Sequence, residues 1–185
     1  MEDEEIIELF NARSEQAIAE LSEKYGPFCR KIAGNILGNS RDAEECVNDA
    51  YLGVWKRIPP ENPKPLSAYL FKIVRNLSIA RYHANTAKKR NSFYDVALEE
   101  LEGCLESSAT VEEEISVREL SRLLDLFLKR ESRENRIMFV RRYWYSDSVL
   151  EIAGKFGISE NNASVRLSRI RNRLRKFLQK EGYII

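Results

Sequence analysis

Residues 149–178 contain two short amphipathic segments that meet at Gly157, and this pattern constrains the fold more than any other feature. Gly157 can adopt a positive φ at little steric cost, and Ser159 can cap the helix that follows. Apolar residues in the second segment recur at steps of four and three, so they share one helical face. They are Ala163, Leu167, Ile170, Leu174 and Phe177. The pattern predicts a helix-turn-helix.

The second helix of this motif is strongly cationic. Residues 157–180 hold seven Lys or Arg against one acid, Glu160, whereas solvated helices usually mix the two signs. A helix-turn-helix with a cationic second helix is the shape of a major-groove reader, so we expect double-stranded DNA as a partner. The residues predicted to contact it are Asn161, Asn162, Ser164, Val165, Arg166, Ser168, Arg169 and Arg173.

Charge is unevenly distributed along the 185 residues, although the net charge is only +1. Residues 66–90 carry six bases and no acid, and residues 91–119 carry nine acids and one base. Residues 1–25 carry eight acids and two bases. Two basic blocks separated by an acidic one predict two nucleic-acid contacts and a spacer.

Apolar spacing is helical nearly throughout the chain, which predicts an all-α protein. Four of the five prolines lie in residues 57–65 and predict a stiff loop there. We expect a helical domain over residues 1–90, an acidic linker over 91–111 and a second small helical domain, containing the helix-turn-helix, over 112–185.

Helix boundaries inside the first domain follow from local signals. A break is expected near residues 11–14, and a turn at residues 38–40 starts a helix that either Ser40 or Asp42 can cap. After the proline loop, a long helix is predicted over residues 66–90.

Residues 66–82 interleave aromatic, cationic and amide side chains, among them Tyr69, Lys72 and Asn76. Aromatic faces combined with cations suit unpaired bases, which stack on rings. The neighbouring stiff loop could wall a pocket for a flipped base. For Phe71 the alternative of a core position is strong, and Tyr69 fits either role.

Other classes of function find little support. Cys29, Cys46 and Cys104 are widely spaced, which argues against a disulfide framework or a zinc site. No catalytic constellation accompanies the single histidine, His83, and there is no glycine-rich phosphate loop. We expect no enzyme activity, metal, cofactor or small-molecule substrate. The acidic start and the lack of a long apolar run predict a cytoplasmic protein.

Three stretches of the chain together resemble the extracytoplasmic-function sigma factors, the small two-domain initiation factors of bacterial RNA polymerase. YGPFCRKIAGNILGNSRDAEECVNDAYLGVWKRI resembles the start of their region 2, and LSAYLFKIVRNLSIARYHANTAKKR resembles its promoter-melting part. FVRRYWYSDSVLEIAGKFGISENNASVRLSRIRNRLRKFL resembles their region 4. The resemblance covers about residues 15–90 and 112–180.

The resemblance implies a role for each part. The helix with Asp42, Glu45, Asn48, Asp49, Leu52 and Trp55 would dock on the β′ clamp of core polymerase. The second domain would read the −35 element and meet the β flap. The −10 element would be contacted by Asn62, Lys64, Ser67, Tyr69, Lys72 and Asn76.

Two rival hypotheses remain open at this point. A stand-alone helix-turn-helix regulator explains residues 149–178 but leaves the first domain without a role. A helical module that binds acidic proteins would use the basic faces without DNA. Sigma factors of this kind are often held by an anti-sigma protein, so such a partner is an open option here.

Overall fold

The computed structural model describes residues 1–85, 93–105 and 113–182, with side chains described outside 102–118. Regular structure within those ranges is entirely helical, which confirms the prediction of an all-α fold. The chain divides into two compact units, residues Met1–Tyr94 and Asp95–Ile185. Among the helices described, none combines the length and apolar character needed to cross a membrane.

Unit 1 is built from four helices: α1 (Asp3–Asn11), α2 (Gln16–Leu37), α3 (Ser40–Arg57) and α4 (Leu66–Asn85). Each helix buries an apolar stripe and exposes charges. The inward side chains include Phe10, Leu21, Ile32, Ile36, Val54, Leu66, Leu70 and Val74. Burying a large aliphatic or aromatic side chain contributes about 1.5–3 kcal/mol relative to exposure, so these stripes hold the four helices together.

The helix boundaries of unit 1 agree with the predictions in part. The expected break near residues 11–14 is present, but α2 runs without interruption through Pro27. The N-cap of α3 is Asn39, whose side-chain oxygen accepts from the amide of Arg41 at 3.0 Å. The prediction of Ser40 or Asp42 was wrong, because Gly38 ends α2 in the left-handed conformation and leaves Asn39 extended. Residues 86–90 of the predicted long helix lie outside the described part.

Unit 2 contains the remaining helices: α5 (Phe93–Leu105), whose first two residues belong to unit 1, α6 (Glu113–Arg130), α7 (Arg133–Tyr143), α8 (Val149–Phe156) and α9 (Glu160–Lys180). Side chains from all five helices meet in one apolar core. Its buried members include Ala97, Leu123, Phe127, Met138, Ile152, Leu167, Ile170 and Leu174.

Helix α5 lies where the sequence predicts an acidic linker. Ala97 is 3% exposed and Leu101 packs against the core of unit 2. Ala97, Glu100 and Leu101 are spaced by three and four residues and therefore share one face of the helix. Average composition concealed this face, because the acids on the other side of α5 dominate the charge balance.

The helix-turn-helix is confirmed in its local detail. Gly157 ends α8 with φ of 62°, and the Ser159 side chain accepts a hydrogen bond from the amide of Asn162 at 3.2 Å. Ser148 caps α8 reciprocally with Glu151, as in a capping box. Both ends of the turn are therefore determined by short-range hydrogen bonds and one glycine.

Substituting Ser159→Ala should lower the stability of unit 2 by about 1 kcal/mol, because the Asn162 amide loses its acceptor. Ser164→Ala is the matched control, since it makes the same change inside α9, where alanine is the better helix former. Urea unfolding followed by circular dichroism measures both variants. Equal stability of the two variants would contradict the capping role.

Candidate functional site

Helix α9 exposes a narrow stripe opposite its buried face. Asn161, Val165, Ser168 and Asn172 are spaced by four and three residues and so line one side of the helix. Ser168 is half-buried and the other three are exposed. Arg169 is also exposed at the edge of this outward stripe, with Asn162 and Ser164 near the start of the helix. The polar side chains near the start of the helix are therefore accessible to a partner.

Two of the predicted DNA-contacting arginines are paired with acids of unit 2. Arg173 donates from Nε and Nη2 to the two carboxylate oxygens of Glu131, both at 2.7 Å. Arg166 donates from Nη2 to Glu134 Oε2 at 2.9 Å and to Asn135 Oδ1 at 3.1 Å. Hydrogen bonds from Arg173 lower the pKa of Glu131, so the pair is charged at neutral pH.

A second cluster, on the other flank of α9, surrounds the carboxylate of Glu100. Arg142 donates to it from Nη2 at 2.7 Å, Arg171 from Nη1 at 3.0 Å and the Tyr143 hydroxyl at 3.0 Å. Burial acts to raise the pKa of Glu100, but the bonds from Arg142 and Tyr143 outweigh it and leave the pKa below its usual range. This Glu100 cluster joins α5, α7 and α9.

No pattern along the sequence reveals these acidic partners. Glu100, Glu131 and Glu134 lie 71, 42 and 32 residues before the arginines of α9 that they bind. Helix periodicity detects only neighbours three or four residues apart. The one available signal was a local count of charges, and that count assigned every arginine of α9 to the solvent or to DNA.

Helix α4 brings together three of the residues predicted to contact single-stranded DNA. Tyr69, Lys72 and Asn76 are spaced by three and four residues, and Lys72 and Asn76 are exposed. Tyr69 is half-buried, and burial raises the pKa of its hydroxyl. Ser67 points to a different side of α4, since residues two positions apart do not share a face.

The loop before α4 presents Asn62 and Lys64 to solvent. The Nζ atom of Lys64 is 3.9 Å from Glu4 Oε1, a contact between two exposed side chains. Such surface pairs contribute little, so Lys64 stays available to another anion. Phe71, by contrast, is half-buried and packs on Phe28 with ring centroids 4.7 Å apart, a contact between α4 and α2.

Helix α3 presents an acidic face with one large apolar residue. Glu45, Asn48, Asp49 and Leu52 are exposed, and Leu52 retains 48% of its accessible surface. Arg81 of α4 lies beside this face: it hydrogen-bonds Glu45 and is 3.6 Å from Asp42 Oδ1 and 4.0 Å from Asp49 Oδ2. The first basic block therefore supplies a partner for the acids of α3 instead of only facing nucleic acid.

Trp55 follows Leu52 by three residues on α3 and is half-buried against α1. Its ring packs edge-on against Phe10 at 6.1 Å, and the guanidinium of Arg13 lies 5.5 Å from the ring centroid. Arg13 Nη1 also donates to the backbone oxygen of Trp55 at 2.6 Å. These contacts attach α1 to the end of α3.

Both cysteines whose side chains the structure describes are buried. Cys29 and Cys46 are free, and burial raises the pKa of Cys29 to about 12. The side chain of Cys104 lies outside the described residues. Within residues 1–85, 93–101 and 119–182, no group of three His, Cys, Asp or Glu side chains is placed to hold a metal ion.

Residues 21–87 match the family model Sigma-70 region 2. The match covers most of α2 and all of α3 and α4, which are the helices that carry the acidic face and the Tyr69, Lys72 and Asn76 side chains. Residues 21–87 therefore form a sigma-70 region 2 domain. This domain is typical of transcription initiation factors, which bind RNA polymerase core and promoter DNA.

Two other comparisons add little to this assignment. No curated protein matches the chain. A solved structure titled "Structure of CnrH in complex with the cytosolic domain of CnrY" is 18% identical, with 96% of this chain and 97% of that chain covered and a TM-score of 0.44. A TM-score of this size does not establish a common arrangement, so the assignment rests on region 2.

Replacing Glu100 by Gln should destabilise unit 2 by roughly 2 kcal/mol at neutral pH, because two arginines lose their carboxylate. The pKa of Glu100 is lowered in the folded state, so its contribution is complete above the unfolded pKa of about 4.3 and is lost as pH falls further. The difference between wild type and Glu100→Gln should therefore shrink with decreasing pH.

Urea unfolding at several pH values measures this, with Trp144 fluorescence as the probe of unit 2 in a Trp55→Phe background. Glu99→Gln is the matched control, since Glu99 is an exposed neighbour on the same helix. A destabilisation that stays constant from neutral to acidic pH would show that the charge of Glu100 is not responsible.

Proposed function

We propose that the chain is an extracytoplasmic-function sigma factor in which unit 1 docks on core polymerase and contacts the −10 element, while unit 2 reads the −35 element. The observation that carries the proposal is the region 2 match on α2–α4, in a chain that also contains a capped helix-turn-helix. The stand-alone regulator leaves the region 2 match unexplained. The proposal implies that the protein works in the cytoplasm, where polymerase is, and catalyses no reaction itself.

For polymerase docking, we propose the exposed acidic face of α3, composed of Glu45, Asn48, Asp49 and Leu52. Carboxylates around an exposed leucine combine charge steering with apolar burial, as a protein interface requires. Asp42 is half-buried beside Arg81 and lies at the margin of this face. Trp55 borders this face one turn after Leu52 and is half-buried against α1.

For the −10 element, we propose the side of α4 that carries Tyr69, Lys72 and Asn76, together with Asn62 and Lys64 of the preceding loop. Exposed cations track the phosphates of a single strand, and an aromatic ring offers a surface on which a base can stack. Ser67 lies outside this group and would contribute only if the strand continued around α4.

For the −35 element, we propose the outward stripe of α9. Asn161, Asn162 and Ser164 are in the first two turns, which are the part of a recognition helix that approaches base edges. Val165 offers an apolar contact to a thymine methyl group. Arg169 is exposed and, within the described part of the chain, hydrogen-bonds to no acid, so all its donors remain for DNA.

In vitro transcription with bacterial core polymerase tests both the sigma function and the proposed reading of the −35 element by α9. The wild-type chain should produce discrete starts that share upstream elements. Arg169→Ala should reduce these transcripts roughly tenfold by weakening −35 binding, since each specific contact is worth about 1–3 kcal/mol. Lys180→Ala, at the far end of α9, should have little effect. Absence of starts with the wild type would refute the sigma function. Full activity of Arg169→Ala would refute only the role of α9 in reading the −35 element.

Reversing one charge tests the docking face. Asp49→Arg should weaken binding to core polymerase by tenfold or more, because it places a cation in the acidic face beside Arg81. Glu23→Arg makes the same charge change on an exposed position of α2. Competition with a labelled wild-type chain for core polymerase measures both. Equal losses in the two variants would indicate a general charge effect and not a docking face on α3.

An anti-sigma protein is a further proposed partner, and it follows from the sequence resemblance. Co-purification of the tagged chain from its own cells, followed by identification of stoichiometric partners, tests this point separately from promoter recognition. Recovery of core polymerase alone under all growth conditions would argue against an anti-sigma partner.

A further inference from the structure

The arginine pairs on one flank of α9 form a continuous polar network. Glu131 accepts both bonds from Arg173 and also accepts from Asn135 Nδ2 at 2.8 Å. The other end of the same amide, Asn135 Oδ1, accepts from Arg166, which also binds Glu134. The network runs from the end of α6 through the start of α7 to Arg166 and Arg173 of α9.

The Asn135 amide has one orientation that satisfies this network. Its oxygen faces a guanidinium and its nitrogen faces a carboxylate, and a flipped amide would place donor against donor and acceptor against acceptor. The backbone amide of Asn135 is bound as well, by the N-capping hydroxyl of Ser132 at 3.3 Å. Asn135 is therefore held in place at both its backbone and its side chain.

Arg166 is restrained at only one of its three nitrogens. Both of these bonds use Nη2, and Nε and Nη1 make no hydrogen bond with the part of the chain that the structure describes. Arg166 is the seventh residue of α9 and lies one helical turn from Asn162 and Arg169, which border the outward stripe. A guanidinium anchored through one nitrogen keeps the donors of its other two nitrogens available to a partner.

Glu134 also places a negative charge beside the DNA-facing side of unit 2, with 66% of its side chain exposed. A carboxylate near phosphates weakens binding to every DNA sequence, because like charges repel. Glu134 lies in the first turn of α7, where an acid also stabilises the helix dipole. Its effect on DNA binding has two parts, its own charge and the orientation that it gives to Arg166.

We propose that Glu134 and Asn135 are positioning residues for promoter recognition: they fix the guanidinium of Arg166 on the flank of α9 beside Arg169, so that binding depends on DNA sequence and not on charge alone. This inference rests on the proposed reading of the −35 element by α9. It adds two residues of α7 that contact α9 and not the bases.

The test compares holoenzyme binding to two promoter fragments that differ only in a native or a scrambled −35 element. The selectivity is the ratio of the two dissociation constants. Glu134→Gln should tighten binding to the scrambled fragment about twofold and lower the selectivity roughly fivefold. Asn135→Ala should also lower the selectivity, although it changes no charge.

Glu160→Gln provides the matched control. It removes one exposed acid from the first turn of α9, and Glu160 forms no ion pair in the described part of the chain. This variant should tighten binding to both fragments equally and leave the selectivity unchanged. If Glu134→Gln behaves in the same way, Glu134 acts only through its charge and the inference is overturned.

A double variant shows whether Glu134 acts through Arg166. In an Arg166→Ala background, Glu134→Gln should leave the selectivity unchanged, because the group that it positions is gone. A full additional loss would overturn the positioning role.

If the wild type itself does not distinguish the two fragments, the proposed reading of the −35 element by α9 fails and this inference fails with it. If the wild type and Glu134→Gln are equally selective, the positioning role is refuted, while the proposed reading of the −35 element by α9 stands.

Discussion

Burial of one apolar stripe on α9 is the constraint on which the recognition unit depends. Ala163, Leu167, Ile170, Leu174 and Leu178 are each at most 1% exposed. A helix that buries one stripe completely has only the opposite side and two flanks to offer a partner. The stripe therefore decides which polar residues reach solvent, before any electrostatic interaction is considered.

Charge pairing then divides the cations of α9 into different roles. Arg173 and Arg171 lie on opposite flanks and bind acids that arrive from α6 and α5, while Arg169 remains exposed. A basic helix of a DNA-binding domain is thus not a uniform positive surface. Its flanking arginines connect the helix to the domain, and the outward positions are left to meet the partner.

In unit 1 the charges have the opposite roles: acids form the exposed face, and a cation from a neighbouring helix pairs with some of them. The acids of α3 are the face proposed to meet polymerase, and Arg81 from α4 neutralises part of it. Exposed ion pairs of this kind contribute little to stability, so a partner can replace them at small cost. The net charge of +1 arises from such mutual compensation and does not describe any single surface.

The sequence by itself determined the local structure: the all-α class, the left-handed turn at Gly157, the Ser159 cap and the buried stripe of α9. These features depend on residues within about four positions of one another, where periodicity and capping rules apply. Only the tertiary structure decided that residues 93–105 form a helix whose Glu100 binds Arg142 and Arg171, or that Glu134 and Asn135 bind Arg166. Packing of helices distant in sequence selects these partners, and no pattern along the chain records which acid will face which arginine.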